Sequence, residues 1–173
     1  SDIAVLSLGD IVASESVRLA GDQLNSDIAE YIKEHHGLII GEHTAERIKI
    51  ELGTAQKVDD PQTMEVRGRD VASGMPKQIE TNENEIADAL HDTLEQIVRA
   101  SVAVLETVPP ELASDIIDRG IMLTGGTAML HGIDKLFSDR LKVPVVVSQD
   151  PLDNVAKGAG ELLERMQSDS GKN

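Results

Sequence analysis

Residues 120–132 read GIMLTGGTAMLHG, and this stretch constrains the fold more than any other part of the chain. Ile121, Met122 and Leu123 form an apolar run suited to a buried strand. Gly125 and Gly126 break that run, and Ala128, Met129 and Leu130 restore apolar character at the start of a predicted helix that continues to about Leu141. A strand that turns through glycine into a helix belongs to α/β architectures. It also lets backbone N–H groups and a helix N-terminus approach a ligand with no Cβ in the way, which suits a nucleotide. Taken alone, the same glycine pair serves more often as a tight connection, so the turn by itself assigns no ligand.

The flanking sequence extends the pattern. Residues 2–8 and 11–18 are β-rich and joined by Gly9-Asp10, which predicts a hairpin. Leu24, Ile28, Tyr31 and Ile32 recur at helical spacing after Asp22 and stop at Gly37, and Thr44 is placed to cap a short second helix reaching Gly53. Across residues 62–79 the helical period disappears, and two extended segments flank a turn at 72–76. Asn82 with Glu85 makes a capping box. Beyond it Ile86, Leu90, Leu94, Ile97, Val98, Val102 and Leu105 form the apolar stripe of a long helix that Pro109-Pro110 ends. A short helix at 111–117 leads into the strand at 121–123, and after the next helix come a strand at 143–147 and a last helix starting at Asp153 or Asn154. The polar tail from Gln167 is expected to fray. The order is an α/β pattern with an insertion rather than a repeat array.

Composition removes several classes of function. The 173 residues, 40% of them hydrophobic, are enough for one domain or two small ones with a proper core. Tyr31 and Phe137 are the only aromatics, so stacking platforms for bases are essentially unavailable. A formal charge of -15 with no Lys/Arg stripe argues against nucleic acid as a partner. Without cysteine there are no disulfides and no thiolate sites, which fits a reducing compartment. No apolar run reaches membrane-spanning length and no signal-peptide pattern is present, so the chain is expected to be soluble. The missing initiator Met suggests a fragment.

Few residues suggest chemistry on their own. Glu46 and Lys49 lie three apart on the short predicted helix whose buried edge is Ala45, Ile48 and Leu52, and read locally as a solvated ion pair. Asp2 reads equally as a strand-edge carboxylate or as a group beside a Mg²⁺ hydration shell, since Mg²⁺ keeps several waters and needs few carboxylates. His35, His36, His43, His91 and His131 place no pair on one helical face, so no metal site is expected and they read as surface or cap residues. No Ser-His-Asp or paired-carboxylate arrangement is evident.

The run from Thr107 to Phe137, TVPPELASDIIDRGIMLTGGTAMLHGIDKLF, closely resembles the MreB family of bacterial actins at its adenosine-binding turn. The segments IGEHTAERIKIELG at 40–53, MEVRGRDVASGMPK at 64–77 and PLDNVAKGAGELLE at 151–164 resemble the same family in the same order, and the likeness covers roughly residues 1–166. Residues 1–10 look like the end of the family's second phosphate hairpin, so the chain is expected to begin inside a functional site.

The resemblance implies the second domain of an actin-like, ribonuclease-H-type ATPase. Residues 1–19 and 89–167 would form its larger subdomain, residues 20–88 an inserted smaller α+β one, and 168–173 a frayed tail. It implies ATP with Mg²⁺ as cofactor. The adenosine would lie between Glu46, Arg47, Ile48 and Lys49 on one side and Gly125, Gly126, Thr127, Ala128 and Met129 on the other, with Asp2 near the metal-bound water. Glu46 would accept from the ribose hydroxyls and Lys49 would pack along sugar and base. The family usually carries a third glycine where this chain has Thr127. If that position needs positive φ, a β-branched residue there is strained by roughly 1–3 kcal/mol.

The partners implied are further copies of the chain in longitudinal filaments and a membrane-anchored cell-shape protein, in the cytoplasm at the inner face of the membrane. Membrane contact itself would be made by the first domain, which this sequence lacks. ATP hydrolysis by this chain alone is expected at background level. A non-catalytic assembly module of the same fold is the alternative. A chaperone-type ATPase would need a peptide-binding domain that the sequence does not contain.

Overall fold

The computed structural model describes residues 1–170, with side chains described through residue 167. Strands β1 (Asp2–Ser7) and β2 (Asp10–Ser16) form an antiparallel hairpin with a register shift between Val5 and Leu6. The connecting residues are Leu8 and Gly9, both at positive φ, one position earlier than the Gly9-Asp10 turn the sequence suggested. Two consecutive positive-φ residues match the twist of the flanking strands, and that requirement fixes the turn.

Helix α1 (Gly21–His36) buries Leu24, Ile28 and Ile32 completely and ends at Gly37, whose N–H donates to Lys33 O. Strand β3 (Leu38–Ile39), too short to leave a periodic signal, leads into helix α2 (Glu42–Leu52). Helix α2 begins after Gly41, with no side-chain cap. Thr44, expected as the cap, lies inside the first turn, where its N–H already bonds Gly41 O at 3.0 Å.

Strands β4 (Thr63–Asp70) and β5 (Pro76–Asn82) pair antiparallel, with β3 on the far edge of β4. Helix α3 (Glu83–Glu106) is capped by Asn82, whose Oδ1 accepts from Asn84 N at 3.0 Å and Glu85 N at 3.1 Å. The other half of the expected box is absent: Glu85 Oε2 accepts from the Thr81 hydroxyl at 2.6 Å. The stripe from Ile86 to Val98 is buried as expected. Further along, Ser101 and Val104 are buried while Val102 is exposed, because a straight helix drifts relative to a strict apolar repeat.

Helix α4 (Pro110–Arg119) starts with proline in its first turn, where the missing N–H costs nothing. Strand β6 (Ile121–Leu123) and strand β7 (Val145–Val147) then pair in parallel through helix α5 (Ile133–Leu141), a βαβ crossover. Helix α6 (Asn154–Ser170) closes the described chain, so the backbone of 167–170 is helical and 171–173 lie outside the described residues.

One apolar core joins these pieces. Leu24, Ile28 and Ile32 of α1, Ala45, Ile48 and Leu52 of α2, Val66 of β4, Leu90 and Leu94 of α3, and Leu136 and Phe137 of α5 belong to a single buried cluster. Helix α3 is its spine, since β1, β2, α1, α2 and α5 all pack against it. Thr93 of α3 also donates to Asp27 of α1 at 2.5 Å. Strand β6 is less enclosed than its apolar sequence suggested: Ile121 and Leu123 are half-buried and Met122 is 68% exposed. Its backbone borders an open cavity of about 550 Å³ that β1, α3 and α4 also line. Among the described residues no helix is long and apolar enough to cross a membrane.

Candidate functional site

Helix α2 presents two faces. Ala45, Ile48 and Leu52 are sealed into the core, while Glu46 and Arg47 are exposed and Lys49 is half-buried. Ile48 therefore cannot offer its side chain to a ligand, although the sequence placed it in the site; its role is to anchor the helix. Glu46 and Lys49 do not form the i,i+3 ion pair suggested by spacing. Lys49 Nζ donates instead to Gly21 O at 3.0 Å, tying α2 to the first turn of α1.

The end of α2 is spliced to the segment that follows the glycine turn. Gly53 O accepts from His131 N at 3.2 Å, His131 O accepts from Ala55 N at 2.8 Å, and Thr54 forms a parallel bridge with His131. Thr54 is almost fully buried, and its hydroxyl donates to Gln56 O at 2.8 Å. Gly53 is required by the closeness of the splice: a Cβ there would stand 2.1 Å from Lys49 O and 2.6 Å from Leu130 Cδ2. The splice carries the exposed face of α2 to the neighbourhood of the glycine turn, across nearly eighty residues of sequence.

At the turn, Gly125 has φ 88 and ψ 171, a region open essentially to glycine alone. The chain then winds through one 3-10 turn (Gly126–Met129), breaks at 130–132, and enters α5 only at Ile133. The helix N-terminus expected directly at the glycines is thus absent, and a short 3-10 turn stands in its place. Thr127 has no positive φ, so the strain that a third glycine would have avoided does not arise.

Gly125 N–H is already committed to Pro151 O at 2.8 Å. The N–H groups of Gly126 and Thr127 form no hydrogen bond among the described residues, as the opening of a helical turn dictates. Ala128 is buried and Met129 exposed. The turn thus offers two outward donors, a Cβ-free approach at Gly126, and an apolar flank.

Pro151 O also accepts from Thr124 Oγ1 at 3.1 Å. Thr124 Oγ1 in turn accepts from Ser148 Oγ at 3.2 Å and Asn154 Nδ2 at 3.1 Å. Sequence reading missed this cluster because Thr124, Ser148, Pro151 and Asn154 carry no periodic or motif signal of their own.

Asp2 is exposed on β1 and accepts from the Ser16 hydroxyl across the hairpin. It lines the 550 Å³ cavity together with Thr124, Thr127 and Ala128, whereas Glu46, Arg47, Ile48 and Lys49 do not. The candidate residues therefore fall into two groups around the glycine turn: Asp2 on the cavity side, and α2 on the side of the splice.

The histidines serve other contacts. His36 Nε2 lies 3.2 Å from Glu85, His35 stacks on Tyr31 with ring centroids 3.9 Å apart, and His131 supplies backbone to the splice. That stacking occupies Tyr31. Among the described residues no group of three or more His, Asp or Glu side chains is placed to hold a metal. The strongest electrostatic perturbation lies away from the site. Two bonds from Ser73, backbone and hydroxyl, together with Lys77, hold the Asp70 carboxyl down at about 2, which locks the β4–β5 turn.

The chain matches the MreB/Mbl protein family over residues 1–171. It is 48% identical over 166 residues to the cell shape-determining protein Mbl of Bacillus subtilis (strain 168), covering 96% of this chain and 50% of that protein. It is 46% identical over 171 residues to the cell shape-determining protein MreB of Escherichia coli (strain K12), covering 99% of this chain and 49% of that one. Among solved structures it superposes on ADP-bound MreB5 of Spiroplasma citri with a TM-score of 0.95 at 34% identity, over 99% of this chain and 52% of that one. The AMPPNP-bound form of MreB5 gives 0.93 at 35% identity, over 98% and 51%. The chain spans about half the length of the curated relatives it matches. The α/β elements, their order and these superpositions agree on an actin-like fold, and the chain belongs to the MreB/Mbl family.

Proposed function

We propose that this chain is the second, nucleotide-contacting domain of an MreB-like bacterial actin. In that reading residues 1–19 and 89–167 form the larger subdomain and 20–88 the smaller inserted one. The observation that carries it is the splice between Gly53 and His131, which holds the exposed face of α2 beside a turn with two unbonded N–H donors. Glu46 accepts from the ribose hydroxyls, and Lys49 leaves Gly21 O to lie along the sugar. Gly126, Thr127 and Met129 border the nucleoside, with Arg47 at the rim of the site. Nucleotide-bound MreB5 structures at 34–35% identity support ATP as the cofactor.

Asp2 is a fitting neighbour for Mg²⁺, which would supply charge neutralisation at the phosphates. The rest of the phosphate machinery is assigned to the first domain. Phosphoryl transfer needs positioned phosphate donors, a metal and an oriented water together. This chain alone therefore binds adenosine nucleotides weakly and hydrolyses ATP at background level. In the whole protein the domain contributes to membrane-associated filaments that direct cell shape and wall elongation, docking a membrane-anchored partner from the cytoplasmic side.

The test is a titration of ATP with Mg²⁺ into isotopically labelled chain. Amide shifts are expected at Glu46, Lys49, Gly126 and Thr127. Shifts confined to residues around His35 and His43 would refute the assignment.

A second reading, in which the chain is purely an assembly module, is favoured by one feature. Val155, Leu162 and Leu163 of α6 are 60–70% exposed and recur on one side of the helix. Association without nucleotide-dependent shifts would decide for it.

A further inference from the structure

We infer that Thr124 is a positioning residue for the nucleoside turn, and that the β7–α6 loop acts through it as a clamp. The inference rests on the nucleotide reading above. A threonine hydroxyl has one proton to donate and two lone pairs to accept with. Here all three are used: Thr124 Oγ1 donates to Pro151 O at 3.1 Å and accepts from Ser148 Oγ at 3.2 Å and Asn154 Nδ2 at 3.1 Å. Pro151 O is saturated in the same way, because Gly125 N–H is its second donor at 2.8 Å.

These bonds draw residues from four places onto one atom pair: the end of β6, the residue after β7, the loop before α6, and the first residue of α6. Ser148 N also donates to Leu123 O at 2.9 Å, which continues the β6–β7 pairing up to the clamp. The direction of the chain leaving β6 is thereby fixed at Gly125, whose φ of 88 permits no other common residue type.

The consequence is directional. With Gly125 N–H turned inward to Pro151, the next two N–H groups, of Gly126 and Thr127, must leave the opposite side of the turn, where nothing in the described chain takes them. Thr124 touches no ligand in this scheme. It sets where the two donors point, and a site of this kind loses affinity when its donors are free to wander.

The experiment uses the full 173-residue chain with Thr124→Val, Thr124→Ser and Asn154→Asp. Thr124→Val keeps the β-branch and removes the hydroxyl. Thr124→Ser keeps the hydroxyl. Asn154→Asp keeps the shape and removes the donor. Dissociation constants for ADP and AMPPNP are measured beside thermal midpoints and the ligand-free amide spectrum. Thr124→Val and Asn154→Asp are expected to weaken both nucleotides about three- to tenfold, the scale of one or two lost hydrogen bonds. Gly125, Gly126 and Thr127 amides should shift before any ligand is added, and Thr124→Ser should recover wild-type binding.

A lower thermal midpoint with unchanged dissociation constants would make the cluster merely structural and overturn the inference. Wild-type chain that binds neither nucleotide would overturn the nucleotide reading, and this inference with it. Wild-type binding matched by an equally tight Thr124→Val overturns the inference alone.

Discussion

Replacing Gly53 by alanine tests whether the two halves of the site are held together by the splice. The new Cβ would lie 2.1 Å from Lys49 O and 2.6 Å from Leu130 Cδ2, both well inside van der Waals contact. Neither neighbour can step aside cheaply. Lys49 O is helix backbone accepting the Gly53 N–H at 2.9 Å, and Leu130 is only 7% exposed. Overpacking of this kind costs roughly 1–3 kcal/mol. Moving Gly53 also stretches its bond from His131 N and the adjoining bond from Ala55 N to His131 O, each worth about 0.5–1.5 kcal/mol net.

A loss near 3 kcal/mol corresponds to a midpoint lowered by about 6–12 °C for a chain of this size. Two other glycines calibrate the argument. Alanine at Gly126 would meet nothing closer than 3.6 Å at an ordinary φ and should change stability by less than about 0.5 kcal/mol. Alanine at Gly125 enters open space but must hold φ 88, at a cost of roughly 1–2 kcal/mol. Thermal unfolding by circular dichroism should therefore rank Gly53→Ala as most destabilised, Gly125→Ala next and Gly126→Ala near wild type. A Gly53→Ala chain melting within about 1 °C of wild type would refute the splice as a structural element.

Two further outcomes follow from the charges and from the turn. Asp70, held near 2, ionises more readily folded than unfolded, so its contribution is present above the ordinary carboxylate range and lost as pH falls from about 4 through 2. Asp70→Asn should flatten the fall in urea midpoint over that interval and leave the profile above pH 5 parallel to wild type; an unchanged acid limb would show the Ser73 bonds to be immaterial. Adenosine itself should bind this chain within about tenfold of ADP, a difference of about 1.4 kcal/mol, because the groups identified at the turn and on α2 address the nucleoside. Competition by calorimetry would check this, and ADP binding a hundredfold more tightly than adenosine would contradict it.

What could be read from sequence was what short-range periodicity encodes. Leu24, Ile28 and Ile32, the Asn82 cap, and the alternation Ala45, Ile48, Leu52 each announce themselves within a dozen residues, and each stands where the pattern put it. The failures share a cause. Strand β3 has two residues and owes its existence to the edge of β4. The capping of α2 passed from Thr44 to the backbone at Gly41 because the preceding strand fixes where the chain enters. The splice and the Thr124 clamp link residues 77 and 30 positions apart, so no local window contains both partners. Ile48 shows the complementary error: a motif match marked the whole segment 46–49 as site, while burial divides it into ligand-facing and core-facing residues.

The same division decides what kind of contact the glycine turn can make. A long helix beginning at Gly126 would have aimed a macrodipole at a bound anion. The chain instead makes one 3-10 turn, breaks, and starts α5 at Ile133, so little aligned dipole stands behind Gly126 and Thr127. Their N–H groups remain unbonded, but they act as individual hydrogen-bond donors rather than as the end of a field. The chain around them carries a net charge of -15, and Glu46 stands on the facing helix. Such surroundings penalise a polyphosphate held at this position and leave an uncharged, hydroxyl-bearing group unaffected. Thr127, carrying a Cβ where a phosphate cradle would favour glycine, imposes no backbone strain here because its φ is ordinary. The turn and α2 are therefore matched to the sugar and base, and the recognition of phosphate falls to groups on the Asp2 side of the cavity and in the first domain.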